Sequence, residues 1–215
     1  EVVGLIGPNG AGKTTLLNAI TSLVTSSAGS IRLDEHVLDG LPSHLIARAG
    51  IVRTFQNLRL FPALSVEENI EVARLATAGH IAGRSLPDVE LLVRASGLAE
   101  LRHRRAGELD YGNARRLELA RAAAAGPRFL LLDEPTSGMG DLESEQMIHR
   151  IREIAGLVQA GVIVVDHDLN FITGICDRVY VLDQGKVIAV GTPDEVSQDP
   201  VVQAAYLGGP IGSTT

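Results

Sequence analysis

Residues 2–15 read VVGLIGPNGAGKTT: a short apolar run, a glycine-rich bend, then a lysine and two threonines. VVGLI has the length and composition of a strand buried on both faces of a parallel sheet. GPNGAGKTT (7–15) fits G-x-x-x-x-G-K-[ST], and LLNAI follows at once with a helical pattern. Glycines let the backbone curl so that successive N–H groups point inward at phosphate oxygens. The helix N-terminus behind them adds favourable partial charge. Gly7, Pro8, Asn9, Gly10, Ala11, Gly12, Lys13, Thr14 and Thr15 therefore form a candidate nucleotide-phosphate loop. Lys13 can reach the outer phosphates, and the Thr14 hydroxyl can ligate a magnesium ion.

Outward from the loop, FLLLDEP (129–135) is an apolar strand ending in two carboxylates. A strand here delivers Asp133 to the sheet edge where ligands of open α/β sheets collect. Asp133 would hold the magnesium ion, directly or through water, and Glu134 would polarise an attacking water. The plainer alternative is a pair of acids marking a strand's end. VIVVDHD (162–168) repeats the layout and sets His167 where it can bond a terminal phosphate. His36, His44, His80, His103 and His149 lack that context and read as structural or solvated.

The rest of the pattern is α/β. Strand candidates are VVGLI (2–6), GIVRT (50–54), FLLLD (129–133), VIVVD (162–166) and VYVLD (179–183), four of them continuously apolar. Helical stretches fall at roughly 13–24, 66–78, 111–125 and 141–160, the second opening on a capping-box pattern at Ser65 to Glu68. LDQGKVIAVG (182–191) reads as a hairpin turning at Gln184-Gly185. Residues 59–126 hold no strand candidate and are rich in Ala, Arg and Leu. They read as a helical lobe inserted into a core of 1–58 and 127–207, in a single domain with a flexible tail at 208–215.

Nineteen Lys and Arg against 26 Asp and Glu give a net charge of −7, which argues against a nucleic-acid partner. The one cysteine, Cys176, excludes an internal disulfide and fits a reducing compartment. The uncharged run from Thr14 to Ile31 is broken by Thr, Ser, Asn and Gly, so it is no membrane span. The chain opens in mid-strand with no initiator Met and reads as though an upstream piece were cut away.

GELDYGNARRLELAR (107–121) sets a glycine and a buried-looking tyrosine at the mouth of a helix, with no nucleophile–base pair or metal-ligand spacing. Together with GPNGAGKTT, RTFQNLRLFP, LLLDEPTSGM and VVDHD, in this order, it resembles the nucleotide-binding subunit of an ABC transporter over essentially the whole chain. RTFQNLRLFP and CDRVYVLDQGKVIAVGTPDEV are similar to the ATPase subunits of branched-chain amino acid importers. The resemblance implies a P-loop NTPase core, a mostly parallel sheet flanked by helices, with an inserted all-helical subdomain. It also implies that the family's N-terminal strands, including an aromatic residue that stacks on adenine, are missing, so that ATP binding is weakened. ATP and Mg2+ are the implied ligands.

By the same resemblance, LDYGN (109–113) occupies the position of the family signature L-S-G-G-Q. Asp110, Tyr111, Gly112 and Asn113 would then meet the γ-phosphate bound by a second ATPase subunit, the same or paralogous, stacked head to tail. Gln56 is the implied Q-loop residue, which meets magnesium or the attacking water. With the helical subdomain it contacts transmembrane permease subunits, and a substrate-binding protein is engaged indirectly. The implied location is peripheral, on the cytoplasmic face of the cell membrane. Asp110 departs from the usual serine, and Gly140 stands where the family has a dimer-contact aspartate. Those departures keep open a low-turnover regulatory or degenerate cassette, and a non-transport ABC ATPase is a further alternative. A switch GTPase lacks support, because no N-K-x-D follows a strand. Arg115 and Arg116 read either as support for the subunit interface or as surface arginines, and Arg102, Arg104 and Arg105 as a solvated basic face.

Overall fold

β1 (Val2–Ile6) runs through the middle of a six-stranded sheet, parallel to β6 (Gly161–Val165) on one side and β7 (Arg178–Asp183) on the other. The computed structural model describes residues 1–78 and 85–207. His80 and the 208–215 tail lie outside the described residues. Beyond β6 come β5 (Phe129–Asp133) and β4 (Ile51–Arg53), both parallel, and β8 (Lys186–Gly191) closes the other edge antiparallel to β7.

The continuous apolarity of these strands follows from burial on both faces. Leu130 and Leu132 pack on one side with Val162, Val164 and Ile151, whereas Leu131 packs on the other with Leu5, Leu17 and Ile46. α5 (Tyr111–Ala124) and α6 (Asp141–Val158) cover the first side, and α1 (Lys13–Ile20) and α2 (Ser43–Arg48) the second. Between β4 and β5 the described chain adds no strand to the sheet. It carries α3 (Val66–Thr77), α4 (Val89–Ala95) and α5.

Ser65 and Glu68 close a reciprocal capping box at the start of α3. Arg102 donates to Glu67 on α3 and Glu90 on α4, tying the two helices together. Arg102 is therefore a clamp at a partly exposed position, while Arg104 and Arg105 are exposed.

α1 stops at Ile20 rather than near residue 24. The Thr21 hydroxyl bonds the Leu17 carbonyl, Ser22 turns left-handed (φ 57°), and the Leu23 and Val24 amides both fold back to the Asn18 carbonyl. A two-residue hairpin, β2 (Arg32–Leu33) with β3 (His36–Val37), and α2 follow where periodicity predicted nothing. α6 ends at Val158 because Gln159 takes a left-handed cap (φ 51°). After β6, α7 (Leu169–Ile175) leads through the buried Cys176 into β7. After β8 the chain finishes in α8 (Pro193–Gln198) and α9 (Pro200–Leu207).

Candidate active site

The loop after β1 is shaped by two backbone constraints. Gly7 sits at φ 147°, where a Cβ would come within 2.0 Å of the Leu182 carbonyl oxygen on β7. Gly12 is left-handed at the start of α1, and the Gly185 amide donates to Ala11 O at 2.9 Å. The loop is thus bound to the β7–β8 turn, with Asn9, Gly10, Thr14 and Thr15 at the surface. Lys13 Nζ donates to Gly7 O at 2.6 Å and Pro8 O at 3.1 Å, so its ammonium lies across the loop's own carbonyls. Burial lowers its pKa, and the Glu134 and Asp133 carboxylates partly offset that.

Those two carboxylates stand at the end of β5. Asp133 is buried and pairs with Arg53 of β4 at 2.6 Å, the two side chains 6% and 4% exposed. Arg53 also donates to Asn18 Oδ1 on α1 at 2.6 Å, so one guanidinium joins β4, β5 and the helix behind the loop. Glu134 is left-handed (φ 50°), its amide held by Val165 O at 2.7 Å, and its Oε2 accepts from Gln56 Nε2 at 2.9 Å. The neighbouring strand ends in Asp166, whose buried carboxylate accepts from the Thr136 amide and hydroxyl and from the His167 and Asp168 amides. His167 projects from this junction with its ring 70% exposed.

The mouth of α5 forms a separate cluster. Asp110 is its N-cap: Oδ1 accepts from the Asn113 amide at 2.8 Å and Oδ2 from Asn113 Nδ2 at 2.7 Å. Its carboxylate therefore lies over the first turn. Tyr111 is exposed, not buried, and its ring lies against Gly138, where an added Cβ would meet it at 3.3 Å. Gly112 faces Glu143 of α6, and a Cβ there would stand 3.1 Å from Oε1, so the glutamate end would have to give way slightly. Gly140 is the exposed N-cap of α6, and its amide donates to Glu143.

The structure thus brings Lys13, Gln56, Asp133 and Glu134 together at the carboxyl edge of the sheet. No hydrogen bond or ion pair among the described residues joins Asp110, Tyr111, Gly112 or Asn113 to the phosphate loop. The family pattern described as "ABC transporter" matches residues 1–137, and one described as "Branched-chain amino acid ATP-binding cassette transporter" matches 186–211.

The chain belongs to the ABC transporter family of ATP-binding proteins.

It is 41% identical over 226 residues to the high-affinity branched-chain amino acid transport ATP-binding protein LivG of Salmonella typhimurium, covering 97% of this chain and 87% of LivG. It is 38% identical over 212 residues to the lipopolysaccharide export system ATP-binding protein LptB of Escherichia coli, covering 97% and 86%. The fold matches the crystal structure of the ADP conformation of MJ1267, an ATP-binding cassette of an ABC transporter. That match has a TM-score of 0.81 and 27% identity, covering 97% of this chain and 88% of that one.

Several residues of this ABC cassette's site carry no motif signal. Arg53 could have been noticed as a lone charge at the end of an apolar strand, and Asp166 as the first acid of VVDHD. Arg115 is the largest correction, because it is no surface residue: it is 4% exposed and paired with Glu118 at 3.0 Å. Burial pushes the Glu118 carboxyl up, against the opposing pull of that guanidinium. Arg116, by contrast, reaches out to Gln146.

Proposed function

We propose that this chain binds MgATP on Gly7 to Thr15 and hydrolyses it as one of two ATPase subunits driving an importer of branched-chain or related amino acids. The observation that carries the reading is the Gln56–Glu134 hydrogen bond beside Lys13. It holds a carboxylate near enough to the Lys13 ammonium to act on it electrostatically. Lys13 exchanges its two carbonyl partners for phosphate oxygens, Glu134 takes the proton of the attacking water, and His167, its ring exposed, bonds the terminal phosphate.

Thr14, Gln56 and Asp133 supply oxygen donors of the kind magnesium selects, and no three His, Cys, Asp or Glu among the described residues could cage a metal alone. These residues therefore suit an ion that shares its shell with phosphates and water. When bound, it would spread the negative charge of the β- and γ-phosphates.

The separation of Asp110–Asn113 from the phosphate loop favours a site completed by a second subunit, whose α5 mouth meets the first subunit's nucleotide. Residues 59–126 form a helical subdomain on the core of 1–58 and 127–207. With Gln56 it meets the permease, and a substrate-binding protein is engaged indirectly. No described helix is long and apolar enough to cross a membrane, and the chain works as a peripheral subunit on the cytoplasmic face. The likeness to LptB supports a second reading, in which the same ATPase cycle drives another cargo.

The test is MgATP hydrolysis against protein concentration, with Glu134→Gln as control, followed by amino acid uptake with the permease. A specific rate that climbs with concentration and vanishes in the control supports the two-subunit site. A Glu134→Gln rate equal to wild type would sink the assignment.

A further inference from the structure

We infer that Arg115 is a positioning residue that couples Tyr111, at the mouth of α5, to the Gln56–Glu134 pair of the same chain. The inference rests on the two-subunit reading above. Nε and NH2 of Arg115 donate to the Tyr111 hydroxyl at 3.1 and 2.8 Å. NH1 donates to Phe55 O at 2.8 Å and Glu118 Oε2 at 3.0 Å, and NH2 to Gln56 O at 2.5 Å. Five contacts use the five N–H bonds a guanidinium has.

The two carbonyls decide what this does. Phe55 O and Gln56 O belong to the peptide planes on either side of the Gln56 Cα, so one buried cation pins both. Fixing both planes fixes the backbone of Gln56 and hence the direction in which its side chain leaves. That side chain holds Glu134 at 2.9 Å. Only one of the five N–H bonds goes to Glu118; the other four go to the two successive carbonyls and the tyrosine hydroxyl.

The other end of the path is half-exposed. Tyr111 rests on Gly138, four residues beyond Glu134, and stands beside the N-cap of α5. A displacement of the tyrosine by a partner subunit's nucleotide is carried through one rigid, planar group to the backbone that aims Gln56. Each subunit thus registers occupancy of the site it completes in its partner and adjusts the carboxylate of its own.

The experiment uses the full-length ATPase subunit with its partner. Three variants are made: Tyr111→Phe, which removes one hydroxyl from an exposed ring; Arg115→Lys, which keeps charge but cannot span both carbonyls; and Arg115→Met with Glu118→Leu, which strands no buried charge. Each is expected to lower kcat by about tenfold or more while KM for ATP changes by less than about twofold. The Hill coefficient for ATP is expected to drop from about 2 toward 1. Tyr111→Phe combined with Arg115→Lys is expected to cost no more than the worse single change, as for two links of one path.

Folded variants with wild-type kcat and cooperativity, or additive losses, overturn the inference. Should the buried changes unfold the chain, Tyr111→Phe alone decides it. Wild-type protein without turnover above its Glu134→Gln control removes the ATPase reading itself. Wild-type turnover beside unaltered variants removes this inference alone.

Discussion

Gln56 Nε2 lies 2.9 Å from Glu134 Oε2, so the loop leaving β4 holds the carboxylate that follows β5. Gln56 is exposed, and its side-chain amide donates to Glu134. Gln56→Ala is therefore expected to lower kcat by about tenfold to a hundredfold and leave KM for ATP nearly unchanged. Steady-state ATPase kinetics check it, and a change confined to KM would contradict the arrangement.

Gly7 and Gly10 both have positive φ, yet their surroundings differ. A Cβ on Gly7 runs into the Leu182 carbonyl, whereas nothing lies within 4 Å of one on Gly10. Gly7→Ala is expected to destabilise the fold by about 3 kcal/mol or more, because a backbone must move. Gly10→Ala costs only its left-handed strain, about 1–2 kcal/mol. Urea unfolding of the two variants distinguishes them, and equal losses would refute the steric argument.

Asp110 contributes a cap and a charge, which two substitutions separate. Asp110→Ala loses the bond to the Asn113 amide and is expected to destabilise the protein by about 1 kcal/mol. Asp110→Ser keeps an oxygen for that amide and removes a carboxylate that repels an approaching phosphate. Nucleotide-driven association of Asp110→Ser, followed by sedimentation in a Glu134→Gln background, is expected to be tighter than in its absence. Weaker association would mean the charge has another use.

Lys13 gives a pH dependence of definite sign. Burial sets its pKa below 10.5 in the free site, so the free protein loses this proton before the unfolded chain does. Stability of the nucleotide-free protein therefore gains from Lys13 as pH rises through the window below 10.5. Nucleotide affinity moves the opposite way, because phosphates favour the charged amine and binding must then take up a proton. Calorimetry in buffers of different ionisation heat is expected to show that uptake at alkaline pH, and Lys13→Met to lack it.

The fold was readable where burial on two faces left a continuous apolar word. β1, β5 and β6 announce themselves, and Asp133 and Asp166 mark where β5 and β6 stop. β2, β3 and α2 escaped because two-residue strands and a six-residue helix each span fewer than two periods of their pattern, too few for a repeat to show. The motif residues Lys13, Asp133 and Glu134 were legible because their chemistry depends on local spacing. Arg53 and Arg115 were not, since a buried arginine is justified only by distant acceptors: Asp133 for one, the carbonyls of Phe55 and Gln56 for the other. Read along the helix, Arg115 and Arg116 are indistinguishable, yet one is enclosed and the other faces water.

Asp166 gathers donors from two loops onto one carboxylate, and that makes it a mechanical knot. Through that shared carboxylate, a shift of the His167 backbone is expected to be felt at Thr136, two residues from Glu134. The loops accordingly have no independent fraying: the amides of Thr136, His167 and Asp168 are expected to exchange with deuterium in one shared opening. Loosening either loop loosens both, so wear at the imidazole end of this cassette reaches the carboxylate end in the same event.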